Sequence, residues 1–335
     1  MYISKLLIQN IYSIAEVDIT FEFHENGNPK PLIIVGENGS GKTTVLSTVV
    51  DAMYEIINLK YSNEFALHKD HESRAYWRVV GAGSQKIGTN YYLSVISFKH
   101  NESSISLFHK SGEVDWSHAK AIYIDIAEQI ISSTEPKGVI GGSEEVSESF
   151  TKDQVSLFFP AFRFEYPGWV NPRYEADDSR ISVDFRKARS ELFSSISSKK
   201  NNDWVRNIID DSIPSFHWLT SKPIFPDDLP IIHQNILVPS SIIDKRALNL
   251  IFAFNDDLSL ILNDQARLFR TKGSSVVALM YRNTFKSTDI THLSSGESSI
   301  INMYLSICRN YYQDKSNDVL PRDLPGIVVI DEIGM

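Results

Sequence analysis

The 335-residue sequence has a single cysteine, Cys308. One thiol excludes a disulfide framework and a cysteine-based metal site. It suits a reducing, intracellular compartment, so a cytoplasmic protein is expected. No apolar run is long enough to span a bilayer, and the opening Met1-Tyr-Ile-Ser-Lys-Leu-Leu-Ile lacks the apolar core of a signal peptide. No membrane partner is therefore expected. Heptad runs and internal repeats are also missing, which excludes a long coiled coil or a solenoid. A formal charge of −9 argues against a surface that coats nucleic acid everywhere and leaves room only for a local basic patch. The length suggests two domains, or one large domain with an insertion.

What is present is concentrated at three places. The first is Gly36-Glu37-Asn38-Gly39-Ser40-Gly41-Lys42-Thr43-Thr44, which fits the P-loop pattern G-x-x-x-x-G-K-[ST] at every defined position. The aliphatic run Leu32-Ile33-Ile34-Val35 before it reads as a buried strand. After it, Leu46, Val49, Val50, Met53, Ile56 and Ile57 recur at helical spacing. Strand, glycine loop and helix form the arrangement that phosphate binding needs. Glycines let backbone N–H groups turn toward phosphate oxygens, and the helix N-terminus adds partial positive charge. Lys42 would reach the β- and γ-phosphates of ATP, and the Thr43 hydroxyl would take one position on Mg²⁺.

Along the chain, residues 2–9 read as a strand, and the alternation of Val17, Ile19, Phe21 and Phe23 with polar residues reads as a half-buried one. The helix after the P-loop is predicted to run to about Leu59. His68, Asp70, His71 and Glu72 stand close together, but a solvated loop or helix face explains them more simply than a metal site does. Residues 91–98 and 103–108 read as a hairpin, 117–131 as a helix, 132–154 as a mobile loop and 155–159 as a buried strand. Residues 165–240 contain Trp169, Trp204 and Trp218 and a basic cluster at Arg180, Arg186, Lys187, Arg189, Lys199 and Lys200. That cluster is a candidate contact for nucleic acid or an acidic partner. A solvated helix face, with Asp184 and Glu191 interleaved, is the plainer reading. Residues 241–270 read as one or two helices, and 275–285 return to strand character.

The second place is Leu293-Ser294-Ser295-Gly296-Glu297, ahead of a helix expected over about 298–312. Ser294 and Ser295 can cap that helix, and Gly296 lets a ligand approach its backbone. A helix N-terminus carrying serine hydroxyls is an anion site. The third is Ile327-Val328-Val329-Ile330-Asp331-Glu332, a buried strand with two carboxylates at the C-terminal end, where open α/β sheets bind ligands. Asp331 would hold Mg²⁺ through water, and Glu332 would polarise an attacking water. A decoy, Ile122-Tyr123-Ile124-Asp125, has no second acid and precedes the serine-glycine motif.

P-loop, serine-glycine signature and aliphatic run with Asp-Glu, in that order, resemble the ABC ATPase superfamily. Within it the chain is similar to the SMC/RecF-type heads and the OLD-like, AAA-like ATPases of anti-phage defence or DNA repair. The opening Ile3–Asn10 with the acidic strand after it, the Asn38-Gly39 form of the P-loop and the long span from Lys42 to Ser294 favour that branch over transporter subunits. The resemblance implies an α/β P-loop NTPase fold, an ABC/SMC-type head with a mostly helical insertion between two lobes. The expected division is an N-terminal lobe over 1–130, a linker and insertion over 131–270, and a C-terminal lobe over 271–335 that stops short after Asp331-Glu332. It further implies that Ser294, Ser295 and Gly296 act in trans on ATP held by the P-loop of a second head, giving a homodimer or higher homo-oligomer. Lys42 and Glu332 would be catalytic. A nuclease or toxin protein and DNA are the partners it suggests. A nucleotide-gated scaffold with little turnover and a RecF-like repair ATPase are the alternatives. The family's histidine switch falls after Met335, so ATP binding is a firmer expectation for this stretch than turnover. Gln85, Gln129 and Gln154 are the candidates for the family's Q-loop glutamine.

Overall fold

The computed structural model describes residues 1–65, 83–100, 103–114, 116, 124–141, 154–159, 198–212, 245–269, 277–281, 284–287, 290, 293–312 and 319–331. Their elements form a mixed α/β protein in two compact units.

The first unit is built on a five-stranded antiparallel sheet in the order β2-β1-β3-β4-β5. Its strands are β1 (Tyr2–Ile11), β2 (Ile14–Thr20), β3 (Tyr91–His100), β4 (Ser103–Gly112) and β5 (Lys137–Ile140). Strand periodicity sends alternate residues to opposite faces, and both faces of this sheet are covered. Leu6 and Ile8 of β1, Ile96 of β3 and Leu107 of β4 face the P-loop helix α1 (Lys42–Phe65), which returns Val45, Val49, Val50, Met53 and Ile56. On the other face, Leu7, Leu93, Val95 and Phe108 pack with Ile126 and Ile130 of α2 (Ile124–Ser132). The expected hairpin of residues 91–108 is present as β3 paired antiparallel with β4.

A two-stranded parallel sheet joins the same core. In it β6 (Val155–Phe159) pairs with β10 (Gly326–Ile330) in the register Gly326↔Val155 to Ile330↔Phe159. Phe158, Ile327 and Val329 pack in the cluster that holds α1. This is how the last strand is brought beside the P-loop helix.

The second unit contains α3 (Ser198–Ser212), α4 (Lys245–Ile261) and α5 (Ser295–Tyr312), with a three-stranded antiparallel sheet β7-β8-β9. Those strands are β7 (Ala266–Phe269), β8 (Ala278–Tyr281) and β9 (Thr284–Ser287). Trp204 of α3 meets Phe254 of α4 with the rings tilted by 50° and 5.6 Å between centroids, and Phe254 meets Tyr304 of α5 edge-on at 6.2 Å. Asp257 of α4 accepts from the Tyr304 hydroxyl at 2.8 Å and from Arg322 at 3.1 Å. Burial pushes the Tyr304 phenol and the Cys308 thiol well above their ordinary values, so the one thiol stays protonated and unreactive.

Several expectations are corrected. Leu32-Ile33-Ile34-Val35 is not a buried strand. No strand pairs with it among the described residues, Ile33 is 76% exposed and Val35 88%, and only Ile34 packs against the core. Four aliphatic residues in a row signal burial only if a neighbouring edge is there to receive them, and composition does not supply that edge. Within the stretch expected to be a loop, Lys137–Ile140 is a strand, because β4 offers its edge and Gly138 fits over the Phe108 ring, where a Cβ would come within 2.6 Å. Ala266–Phe269 is a strand, not a helical continuation of α4. The P-loop helix extends to Phe65, past the expected Leu59. The histidine-acidic group at 68–72 and Arg180–Arg189 lie outside the described residues.

Gly326 opens β10 at φ +146°, and a Cβ there would lie 2.0 Å from the Val155 carbonyl oxygen. Gly326→Ala should therefore destabilise the protein by roughly 2 kcal/mol or more, read as a lowered midpoint in chemical denaturation. An unchanged midpoint would mean that β10 does not pair in this register.

Candidate functional site

The P-loop is a glycine turn held by its own lysine. Gly39 and Gly41 take φ values of +82° and +101°, a region where a side chain is strained. A Cβ on Gly36 would meet the Ser40 hydroxyl at 2.8 Å, and one on Gly41 would meet Ile14 at 2.7 Å. The glycines are thus required by conformation and by close approach, as a phosphate cradle demands. The Ser40 N–H donates to the Glu37 carbonyl at 3.2 Å, and the Val45 N–H donates to the Gly41 carbonyl at 3.0 Å, which closes the first turn of α1. No acidic residue sits in that first turn, so nothing there opposes an anion at the positive end of the helix. Glu37, Asn38, Gly39 and Ser40 are exposed. The Lys42 ammonium donates to the carbonyls of Gly36 and Glu37, each at 2.8 Å. It therefore spans the mouth of the loop whose amides would face a phosphate.

The second feature joins residues far apart in the chain. The Thr43 hydroxyl donates to Asp331 Oδ2 at 3.0 Å across a sequence separation of 288. Asp331 is 5% exposed, and its own N–H donates to the Phe159 carbonyl at 2.9 Å, so the β6–β10 ladder continues one residue past the strand and fixes the carboxylate. A buried carboxylate is costly unless it is compensated. A hydroxyl donor and a divalent cation both compensate it, and a threonine hydroxyl beside an aspartate is a donor set suited to Mg²⁺, which favours few protein oxygens together with phosphate and water. Glu332 lies outside the described residues. The decoy Asp125 is in α2, not at a strand end.

Ser294, Ser295 and Gly296 belong to the other unit. The Glu297 N–H donates to Ser294 Oγ and the Ser294 N–H donates to Glu297 Oε2, each at 3.4 Å, and Ser294 Oγ also donates to Glu297 Oε2 at 2.6 Å. That is a capping box, which the spacing Ser-x-x-Glu encodes directly. Sequence reasoning identified Ser294 as a cap and missed that Glu297 is its partner. Gly296 lies in the first turn of α5, and a Cβ on it would meet nothing within 4 Å. Glycine inside a helix costs about 1 kcal/mol relative to alanine, and no packing within the described residues requires it.

Of the glutamine candidates, Gln129 is exposed on α2. Gln85 donates to the Thr89 carbonyl. Gln154 is buried; its Oε1 accepts from the Met1 ammonium at 2.6 Å, and its Nε2 has no partner among the described residues. No helix among the described residues is long and apolar enough to cross a membrane.

A protein-family model described as an AAA domain matches residues 5–222. The matched span contains the whole P-loop and ends before Ser294 and Asp331. No curated protein matches the chain.

Lys42 is partly exposed and its present bonds go to carbonyls of its own loop. Lys42→Met should leave stability within about 0.5 kcal/mol of the native value and weaken ATP binding by on the order of tenfold to a hundredfold, as measured by titration calorimetry. Undiminished affinity would remove this loop as the phosphate site.

Proposed function

Because the chain belongs to this AAA domain family, one of the P-loop ATPases, we propose that it is an ABC/SMC-type head that binds and hydrolyses ATP and dimerises on it. The observation that carries the reading is the Thr43–Asp331 hydrogen bond. It unites the residue after the P-loop lysine with the carboxylate at the end of a buried parallel strand, the two protein groups that a Mg²⁺–nucleotide site needs.

In this reading Gly36 to Thr44 cradle the phosphates, with Lys42 exchanging the Gly36 and Glu37 carbonyls for phosphate oxygens. That exchange replaces neutral acceptors by charged ones, which are stronger. Thr43, and Asp331 through water, would hold Mg²⁺, which would neutralise charge on the phosphates. Glu332, next in the chain, orients the attacking water as general base. Asp331, fixed by the strand ladder and the Thr43 hydroxyl, is the one assigned to the cation.

Ser294, Ser295 and Gly296 act on the nucleotide of a second head. The unexplained glycine at 296 supports this, since a position that no internal contact requires is free to let an outside ligand close on the helix end. Ser294 then releases Glu297 and offers its hydroxyl to the γ-phosphate, so ATP and ADP differ in how firmly they hold two heads together. The resemblance to defence and repair ATPases supports a DNA-linked output, with anti-phage defence alongside a nuclease or toxin partner as the preferred form.

Light scattering tests the assembly. ATP with Mg²⁺ should double the particle mass, ADP should not, and Ser294→Ala should abolish the ATP effect while ATP still binds. A mass unaffected by nucleotide would overturn the ATP-gated dimer and leave a scaffold that assembles without it.

A further inference from the structure

The second unit contains a run of buried amides and hydroxyls between α3 and the helix that carries Ser295 and Gly296. Asn201 of α3 is fully buried, as are Asn302 and Ser306 of α5, and Ser298 is 8% exposed. The Asn201 amide nitrogen donates to the Asn302 main-chain carbonyl at 2.9 Å, to Asn302 Oδ1 at 3.2 Å and to Ser306 Oγ at 3.0 Å. The hydroxyl of Ser306 lies 3.4 Å from Asn201 Oδ1. An amide group has two hydrogens, so one of them is shared. The Asn302 amide then donates toward the helix N-terminus, to the Ser298 carbonyl at 3.0 Å and Ser298 Oγ at 3.2 Å. The Ser298 N–H in turn donates to the Ser294 carbonyl at 2.8 Å.

Ser298, Asn302 and Ser306 lie four residues apart and form one stripe on α5, and Asn201 sits on that stripe. On its neighbouring position α3 is anchored the other way, since Asn202 Oδ1 accepts from the Val277 N–H at 2.6 Å just ahead of β8. α3 also meets α4 through the tilted Trp204–Phe254 ring pair and buries Val205 and Ile209. Apolar contacts are non-directional, whereas hydrogen bonds have narrow limits of distance and angle, so the amides set the register. Moving α5 along its axis by a single residue, about 1.5 Å, would pull the Asn201 amide out of bonding range of acceptors it now meets at 2.9–3.2 Å. Leaving such groups buried and unpaired is costly.

We propose that Asn201 is a positioning residue: through Asn302 and Ser298 it fixes the register of α5 and so sets where Ser294, Ser295 and Gly296 are presented to the γ-phosphate of the nucleotide on a second head. This rests on the reading of that helix end as a γ-phosphate site. It assigns the work to α3, which none of the three nucleotide motifs includes. Asn201 touches no nucleotide in this role; it acts through α5. Buried polar residues that specify register at the expense of stability are known from helix pairs, and residues remote from a ligand modulate its coupling by amounts that correspond to several-fold to tens-fold changes.

The test separates register from stability. Asn201→Leu strands the acceptors on α5 and should lower the melting temperature. The double variant Asn201→Leu, Asn302→Leu removes both buried amides, leaves only the Ser306 hydroxyl and a helical carbonyl of the set, and should recover most of that loss. Positioning predicts that the recovered double variant still turns over ATP and forms the ATP-dependent dimer about tenfold less well, with unchanged affinity for nucleotide at the P-loop. A merely structural role predicts that activity returns with stability, and that result would overturn the proposal. Ser294→Ala serves as the reference: if it changes neither association nor turnover, the γ-phosphate reading falls; if it abolishes them while the double variant is fully active, only the role of Asn201 falls. Should the double variant not fold, amide hydrogen exchange of Asn302→Ala decides. Protection lost at residues 295–300 and kept at 305–312 is the expected result, and protection equal to the native protein throughout overturns the proposal.

Discussion

The arrangement of the first unit depends on one buried carboxylate having a donor. Asp331 sits at the end of a strand that belongs to the core, and its position is set by three constraints: the parallel ladder of β10 on β6, the bond of its N–H to Phe159, and the Thr43 hydroxyl. The first two come from β6 and the third from the start of α1. The ladder fixes the height of the carboxylate, the aliphatic residues Ile327 and Val329 fix the strand against α1, and the hydroxyl fixes the side chain's direction. Without such restraint a buried carboxylate would turn toward whatever donor it could reach. With it, the carboxylate is held in advance where a cation can join it. This is preorganisation, which lowers the cost of binding because little has to be ordered when the ligand arrives.

The same logic extends to the glycine loop. Lys42 bonds to two carbonyls of its own turn, so the loop is closed around its ammonium. Exchange of those carbonyls for phosphate needs no rebuilding of the backbone, because Gly39 and Gly41 already hold the left-handed conformations. The second unit is built differently. Its helices are tied by tilted ring contacts and by amides, and the Ser294–Glu297 box completes the helix end.

Features set by neighbours in sequence were legible before the structure. The P-loop, the alternation at Val17 and Ile19 in β2 and the capping serine each declare themselves within a few residues, because turns, strand periodicity and caps are local physics. The family match supports the P-loop reading over the part of the chain it spans. Features set by distant partners were not legible. Leu32–Val35 has the composition of a buried strand and is exposed, while Lys137–Ile140 has the composition of a loop and is a strand because Phe108 accepts a glycine beside it. Asn201 stands in Lys199-Lys200-Asn201-Asn202-Asp203, which reads as pure surface, and is fully buried. Only the acceptors on α5 explain it, and nothing in the spacing of residues around Asn201 points to them.

The central claim is that Thr43 and Asp331 form, with the P-loop, a site for nucleotide with Mg²⁺. Calorimetric titration of ATP with and without Mg²⁺, in the native protein and in Asp331→Asn, addresses it most directly. The account predicts that Mg²⁺ tightens ATP binding in the native protein and that Asp331→Asn loses most of this gain while keeping its Mg²⁺-free affinity. Equal tightening by Mg²⁺ in both proteins would contradict the account, because the cation would then be held without the carboxylate around which the site is built.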